Sequence, residues 1–89
     1  MKELIALYRA RLVQDHHEAH NQYEYHPALR RDRCCQLDHV LWMLDAMDQM
    51  QDARKHQRWL GFIQGVLYAQ GIYDLTELRN QTRKALACE

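Results

Sequence analysis

The residues best suited to chemistry lie in the sequence HHEAH, which runs from His16 to His20. If this segment is helical, His16 and His20 lie one turn apart and could chelate a single metal ion. The zinc-protease pattern requires a glutamate directly after the first histidine. That position holds His17, and Glu18 projects roughly 200° away from His16 on a helix. His16 and His20 are therefore candidate ligands only, and we predict no bound metal, no cofactor and no enzymatic activity.

Three cysteines are present, and two of them, Cys34 and Cys35, are adjacent. Together with His26 and His39 they could add metal ligands, but no CxxC pair supports a closed zinc site. Adjacent cysteines are also a poor basis for a disulfide framework. We interpret Cys34 and Cys35 as two small helix residues with reduced thiols.

Basic residues form three groups along the chain. If the groups met on one face, they could hold the phosphates of a nucleic acid. The alternative is that they complement helix ends and keep the protein soluble. Twelve basic and twelve acidic residues give a net charge of zero, so a nucleic acid would need such a local patch. The groups are Arg30, Arg31 and Arg33; Arg54, Lys55, His56 and Arg58; and Arg79, Arg83 and Lys84.

The apolar residues that would position these groups recur at helical spacing. A first helix is predicted over residues 2 to about 24, with His16 on its apolar face. Pro27 marks a boundary, and a second helix should begin between Pro27 and Asp32. Its acidic stripe of Asp38, Asp45 and Asp52 is interpreted as a solvated face. The main apolar positions are Leu4, Ile5, Tyr8, Leu12, Ala19 and Tyr23 in the first helix and Leu37, Val40, Leu41, Leu44 and Met47 in the second.

A second stripe of the second helix lies nearly opposite its apolar face. It consists of Cys35, His39, Trp42 and Ala46. A tryptophan beside small residues is typical of the centre of an interface, and a small domain gains stability from such burial. The stripe thus predicts a homodimer. In the alternative interpretation, the first or fourth helix covers Trp42 within one chain.

The third helix is expected to be the central one, because its apolar residues cover roughly half of a helical wheel. Gly61, Gly65 and Ala69 lie four apart along one edge, where another helix could approach closely. A branched side chain at Gly65 should therefore destabilise the fold. The apolar positions are Trp59, Leu60, Phe62, Ile63, Val66, Leu67 and Ala69.

The ends of this helix carry recognisable signals. The preceding turn is placed within Asp48 to Asp52, where Asp48 with Gln51, or Asp52 alone, could cap the helix. Gly71 is suited to end the helix in the left-handed conformation. Asp74 and Glu77 have the spacing of a capping box for a fourth helix.

These observations predict an all-α protein with a single helical domain over residues 1–89. The architecture is a small bundle of three long helices and a shorter C-terminal helix. Hydrophobic residues make up 47% of the chain and charged residues 27%, as in ordinary soluble domains. No apolar run approaches the roughly 20 residues that span a bilayer. We expect a cytoplasmic protein with no membrane contact.

The stretch RWLGFIQGVLYAQGIYDLTELRNQTR (58–83), and upstream HPALRRDRCCQLDHVLWM (26–43), resemble small uncharacterised proteins of tailed bacteriophages and prophages. The resemblance implies a phage origin and a bacterial host cell, and it carries over no catalytic residue. The leading hypothesis is a noncatalytic interaction module, a phage accessory protein that modulates or inhibits a host defence or regulatory factor. The alternatives are a nucleic-acid-binding regulator and a metal-dependent activity around His16 and His20.

Overall fold

A computed structural model of the chain describes residues 2–21 and 33–87. It contains α1 (Lys2–Gln14), α2 (Arg33–Met47), α3 (Ala53–Ala69) and α4 (Leu75–Ala87). The predicted all-α bundle is confirmed. The helix lengths differ from the prediction, because α1 and α4 have 13 residues each. The predicted start of the second helix, between Pro27 and Asp32, lies outside the described residues, as do Tyr23, His26, Arg30 and Arg31.

The centre of the bundle is α2, which packs against both α1 and α3, while α4 packs against α1. Seven of the fifteen residues of α2 are buried, against three of seventeen in α3. The expectation that α3 is central is therefore wrong. Its apolar half-wheel is only partly used inside the chain, because Phe62 and Ala69 face solvent. The three buried residues of α3 are Leu60, Ile63 and Leu67.

The first helix ends ten residues earlier than predicted, at a left-handed residue. His16 has a φ of 66°. Its backbone N–H donates to Val13 O, and the N–H of His17 donates to Leu12 O, both at 3.0 Å. These two bonds form a Schellman motif, in which the residue after the C-cap is left-handed. Ala19 is consequently exposed beyond the helix instead of lying on its apolar face.

The third helix ends with the same motif, and here the sequence shows it. Gly71 has a φ of 74°. Its N–H donates to Tyr68 O, and the N–H of Ile72 donates to Leu67 O. Ile72 and Leu67 are both buried, which adds the apolar contact that commonly accompanies this motif. The prediction for Gly71 is confirmed.

Both predicted helix caps are present. Asp52 accepts hydrogen bonds from the backbone N–H groups of Arg54 and Lys55, so it caps α3 alone. Asp74 accepts from Glu77 N at 2.8 Å, and Glu77 accepts from Asp74 N at 3.2 Å. This reciprocal pair is a capping box with aspartate as the cap. The connections on either side of α3 are therefore fixed by local chemistry.

The acidic residues of α2 have individual roles and do not act as one solvated stripe. Asp38 Oδ1 lies 2.9 Å from His17 Nδ1 and accepts a hydrogen bond from Glu18 N. Asp45 lies 2.9 Å from Arg9 Nε as an ion pair without hydrogen-bond geometry. These contacts tie α1, and the segment after it, to α2.

A polar junction joins α1, α3 and α4 over the core. Tyr8 is completely buried, and its hydroxyl accepts a hydrogen bond from the side-chain amide of Gln64 at 3.1 Å. The same amide donates to Thr82 Oγ1 at 3.0 Å, and the Thr82 hydroxyl donates to Leu78 O. Both amide hydrogens of Gln64 are thus used in joining the helices.

Replacing His16 by glycine should stabilise the protein. A left-handed conformation is costly for a residue with a Cβ atom and free of that cost for glycine. The His16 side chain is exposed, so little packing is lost. We expect His16→Gly to raise the free energy of unfolding by roughly 0.5–1 kcal/mol in urea titration. A decrease would contradict the assignment of the helix end.

Replacing Tyr8 by phenylalanine should cost about 1 kcal/mol at neutral pH, because an amide hydrogen of Gln64 loses its partner. Burial raises the pKa of the Tyr8 phenol above 10.0, against a smaller lowering by the Gln64 hydrogen bond. Stability from the neutral phenol is therefore present below pH 10 and is lost as pH rises through the folded-state pKa.

Unfolding titrations of both proteins between about pH 8 and pH 11.5 would check this. The stability difference between the wild type and Tyr8→Phe should shrink above pH 10. A difference that stays constant would show that the phenol titrates alike in the folded and unfolded states.

Candidate interaction surface

The histidines of HHEAH are not arranged as a helical metal site. They follow the end of α1, so the one-turn spacing assumed for His16 and His20 does not exist. His16 is exposed, and His20 Nε2 lies 3.6 Å from Glu18 Oε2. Across residues 2–21 and 33–87, no group of three His, Cys, Asp or Glu side chains is placed to hold a metal ion.

The first two basic groups lie at opposite ends of α3, and the third is divided between two sides of α4, with Arg79 and Arg83 on one side and Lys84 on the other. Arg33 donates to Gln70 O at the C-terminal end of α3, whereas Arg54 and Lys55 occupy its first turn. The sixteen steps along the chain from Arg54 to Gln70 span about 24 Å of helix. The proposed common phosphate site is therefore divided between opposite ends of α3, and its Arg30 and Arg31 lie outside the described residues.

The stripe of Cys35, His39, Trp42 and Ala46 is partly covered within the chain. Trp42 stacks on His39 with ring centroids 5.5 Å apart and contacts Trp59 of α3 at 6.2 Å. His39 is only 8% exposed, and Cys35, Trp42 and Ala46 are half-buried. Trp59 covers Trp42 from α3, not from the first or fourth helix. A homodimer through this stripe stays a prediction.

The stripe of Gly61, Gly65 and Ala69 lies on the solvent side of α3. All three residues are exposed, and a Cβ atom added at Gly61 or Gly65 would have no neighbour within 4 Å. The prediction that they form a close helix contact inside the chain is wrong. The physical reason is that the core of α3 uses the opposite side of the helix, along Leu60, Ile63 and Leu67.

Two exposed aromatic side chains flank this stripe. On an ideal helix, Phe62 and Tyr68 lie roughly 60° to either side of Gly65. Phe62 is 56% exposed and Tyr68 is 50% exposed. Between Gly61 and Ala69, the outer face of α3 thus presents a strip with no side chain larger than a methyl group along its centre and an aromatic ring on each side.

The apolar surface continues onto α4. Leu75 and Leu86 are exposed on the same side of that helix. Among the described residues, α3 and α4 carry four of the six large hydrophobic side chains that are exposed. We call this the α3–α4 face and define it by Gly61, Gly65, Tyr68, Leu75 and Leu86. Phe62 lies at its edge toward α2, where it borders a pocket with His39, Trp42 and Trp59.

A groove runs between the two helices within the α3–α4 face. It has a volume of about 440 Å³ and is bordered by Gln64, Gly65, Tyr68, Leu75, Leu78, Arg79, Thr82 and Arg83. Tyr68 meets Leu75 near the connecting turn, and Gln64 meets Thr82 farther away, so the helices run in opposite directions. The groove stays open because α4 packs mainly against α1.

The groove is apolar at its base and positive at its rim. The side-chain amide of Gln64 donates to Tyr8 and Thr82, and the Thr82 hydroxyl donates to Leu78 O. Arg79 and Arg83 border the groove and are exposed, and no carboxylate lines it. In the part of the chain that the structure describes, neither arginine forms an ion pair with a carboxylate.

Comparison with known proteins adds no relative: no protein-family model, no curated protein and no solved structure matches this chain. Within the described ranges, no helix is both long enough and apolar enough to cross a membrane. The α3–α4 face therefore has to be interpreted from its own geometry.

The residues of the glycine stripe are recognisable in the sequence, but the neighbour predicted for them, another helix of the same chain, is wrong. Tyr68, Leu75 and Leu86 were not among the predicted surface residues. A signal was present in the spacing of α4. Leu75 and Leu86 are eleven residues apart and share one side of the helix with Arg79, whereas the buried Leu78 and Ala85 define an adjacent side. A helix with both sides apolar is wider than its own core requires.

Replacing Gly65 by alanine should stabilise the protein, because alanine is the better helix former and its methyl group meets no neighbour. We expect a gain of about 0.5–1 kcal/mol and a higher melting temperature. Gly71→Ala is the matched control and should destabilise, because Gly71 is left-handed. Loss of stability in Gly65→Ala would show that this position is covered within the chain.

Proposed function

We propose that this protein is a noncatalytic protein-interaction module that binds its partner through the α3–α4 face. The observation that supports the proposal is the concentration of exposed apolar side chains around Gly65. Large exposed apolar patches rimmed by polar residues commonly mark binding sites on soluble proteins. Tyrosine, such as the exposed Tyr68, is also enriched among the few residues that dominate the binding energy of interfaces.

The glycine positions support the same proposal. Each glycine inside a helix costs about 1 kcal/mol relative to alanine, and neither Gly61 nor Gly65 makes room for anything inside the chain. A partner helix resting on α3 could use that room, because its backbone could approach closely. The cost to the free protein would then be offset in the complex.

The resemblance to small phage proteins provides a biological setting for this module. We propose a phage accessory protein that acts in the cytoplasm of the bacterial host and modulates or inhibits a host factor of a defence or regulatory system. Homodimerisation through the stripe at Trp42 is a separate part of the proposal. Light scattering over a range of protein concentrations would test it without altering the α3–α4 face.

The proposal is tested by affinity capture from a bacterial lysate with matched surface variants. Tyr68→Glu and Leu75→Glu place a charge on the α3–α4 face, and Val13→Glu makes the same kind of change on α1 at a residue that is 55% exposed. We expect the captured protein to be lost with the first two variants and retained with the third. Circular dichroism should show unchanged helicity, since all three side chains are exposed.

Capture of the same protein by all variants would exclude the α3–α4 face as the contact surface. Capture that disappears after nuclease treatment would instead favour the nucleic-acid-binding alternative.

A further inference from the structure

We propose that the groove between α3 and α4 binds an acidic amphipathic helix of a partner protein. This inference rests on the proposed function and adds the chemistry of the partner. It is carried by the shape of the groove, by the side-chain hydrogen bonds already made at its base and by the charges at its rim.

The shape of the groove suits a helix. Its two walls are antiparallel helices, and amphipathic helices commonly lay their apolar face in such grooves. Gly65 lies at the edge of the groove with open space where a side chain would be. A third helix could therefore approach the backbone of α3 closely there, between Tyr68 and the residues of α4.

The base of the groove favours apolar side chains. Leu78 contributes a hydrocarbon surface, and Tyr68 and Leu75 extend that surface toward solvent. The amide hydrogens of Gln64 and the hydroxyl of Thr82 already have partners. These donors offer a ligand no free hydrogen, whereas an occupant with apolar residues at positions i, i+3 or i+4, and i+7 would fill the groove.

The positive charges at the rim of the groove favour a partner with negative charge. Arg79 and Arg83 are one helical turn apart on the rim, where like charges repel each other by a few tenths of a kcal/mol. α3 contains no acidic residue, and its exposed side adds Arg58. Two carboxylates one turn apart on a bound helix would face the two guanidinium groups and relieve their repulsion.

The same charges disfavour a second copy of this chain. A two-fold symmetric contact would place each groove against its equivalent. Arg79 and Arg83 would then lie near the corresponding arginines of the second copy, and like charges across an interface are costly. A nucleic acid would satisfy the arginines, but its phosphate backbone has no apolar side chains to cover Tyr68 and Leu75.

The test uses two synthetic helical peptides of about 15 residues, a length at which an alanine-rich helix forms in water. Both carry leucines at helical spacing. One carries glutamates four residues apart beside the leucines, and the other carries lysines at those positions. Binding to the full chain is measured by fluorescence anisotropy, at low and at high salt.

We expect the glutamate peptide to bind, with affinity that falls as salt rises. Arg83→Glu should weaken its binding by about tenfold, and the lysine peptide should bind this variant better than it binds the wild type. Lys84→Glu is the matched control, because it makes the same charge change one residue along the same helix but borders the opposite groove, beside α1. It should leave the affinity nearly unchanged.

A second pair of variants tests the shape. Gly65→Leu fills the edge of the groove and should abolish binding, while Ala69→Leu enlarges an exposed residue of the same helix outside the groove and should retain it. Circular dichroism and thermal melting would confirm that both variants are folded.

Equal binding of the two peptides, or indifference to Arg83→Glu, would overturn the acidic-helix assignment while leaving the lysate test of the α3–α4 face intact. Tight binding of a DNA or RNA oligonucleotide that is lost in Arg83→Glu would overturn it in favour of nucleic acid. A dimer of the wild type that Gly65→Leu dissociates would overturn it in favour of self-association.

Discussion

The burial of Tyr8 is the constraint on which the arrangement of the helices depends. A fully buried hydroxyl needs a hydrogen-bond partner, because leaving it unpaired costs about 1–3 kcal/mol. Gln64 supplies that partner from α3 and reaches Thr82 of α4 with its second amide hydrogen. Helices α3 and α4 are thus joined over the core by polar side chains. They do not pack closely against each other through apolar side chains, and a groove therefore remains between them beside this junction.

Local chemistry explains which helix ends could be predicted from the sequence. Asp52, the pair Asp74 and Glu77, and Gly71 each match a known capping pattern, and all three act as their residue types predict. The end of α1 uses the same hydrogen bonds as the end of α3, but its left-handed residue is His16. Histidine adopts this conformation less often than glycine. The apolar periodicity continued to Tyr23, and no glycine marked the end of the helix, so the predicted helix was too long. Because α1 ends at Gln14, His16 and His20 do not have the one-turn spacing that a helical metal site would need.

Hydrophobic periodicity also explains the error at Gly61 and Gly65. The pattern identifies apolar and small positions on a helix, but it does not say whether the chain itself or another molecule covers them. In α2 the main apolar face was assigned correctly, because Leu37, Val40, Leu41, Leu44 and Met47 are all buried. In α3 the apolar pattern covered two different surfaces of the helix: a narrow side that packs in the core and an exposed side that carries Gly61 and Gly65. The exposed side could be recognised only from the structure, which shows that no side chain of α4 or α2 covers Gly61 and Gly65.

The exposed side of α3 and α4 carries local positive charge, although the net charge of the chain is zero. Several acidic residues that the structure describes have partners close by: Asp45 pairs with Arg9, Asp15 pairs with Arg11, and Asp52 accepts hydrogen bonds from the first turn of α3. The arginines at the groove are not engaged with carboxylates in the described structure. A pair compensated at short range produces little field beyond itself, whereas uncompensated charges around a concave surface attract ions of opposite sign. A neutral protein can in this way present a positive face to one class of partner, and the apolar base of the groove then selects partners that are also amphipathic.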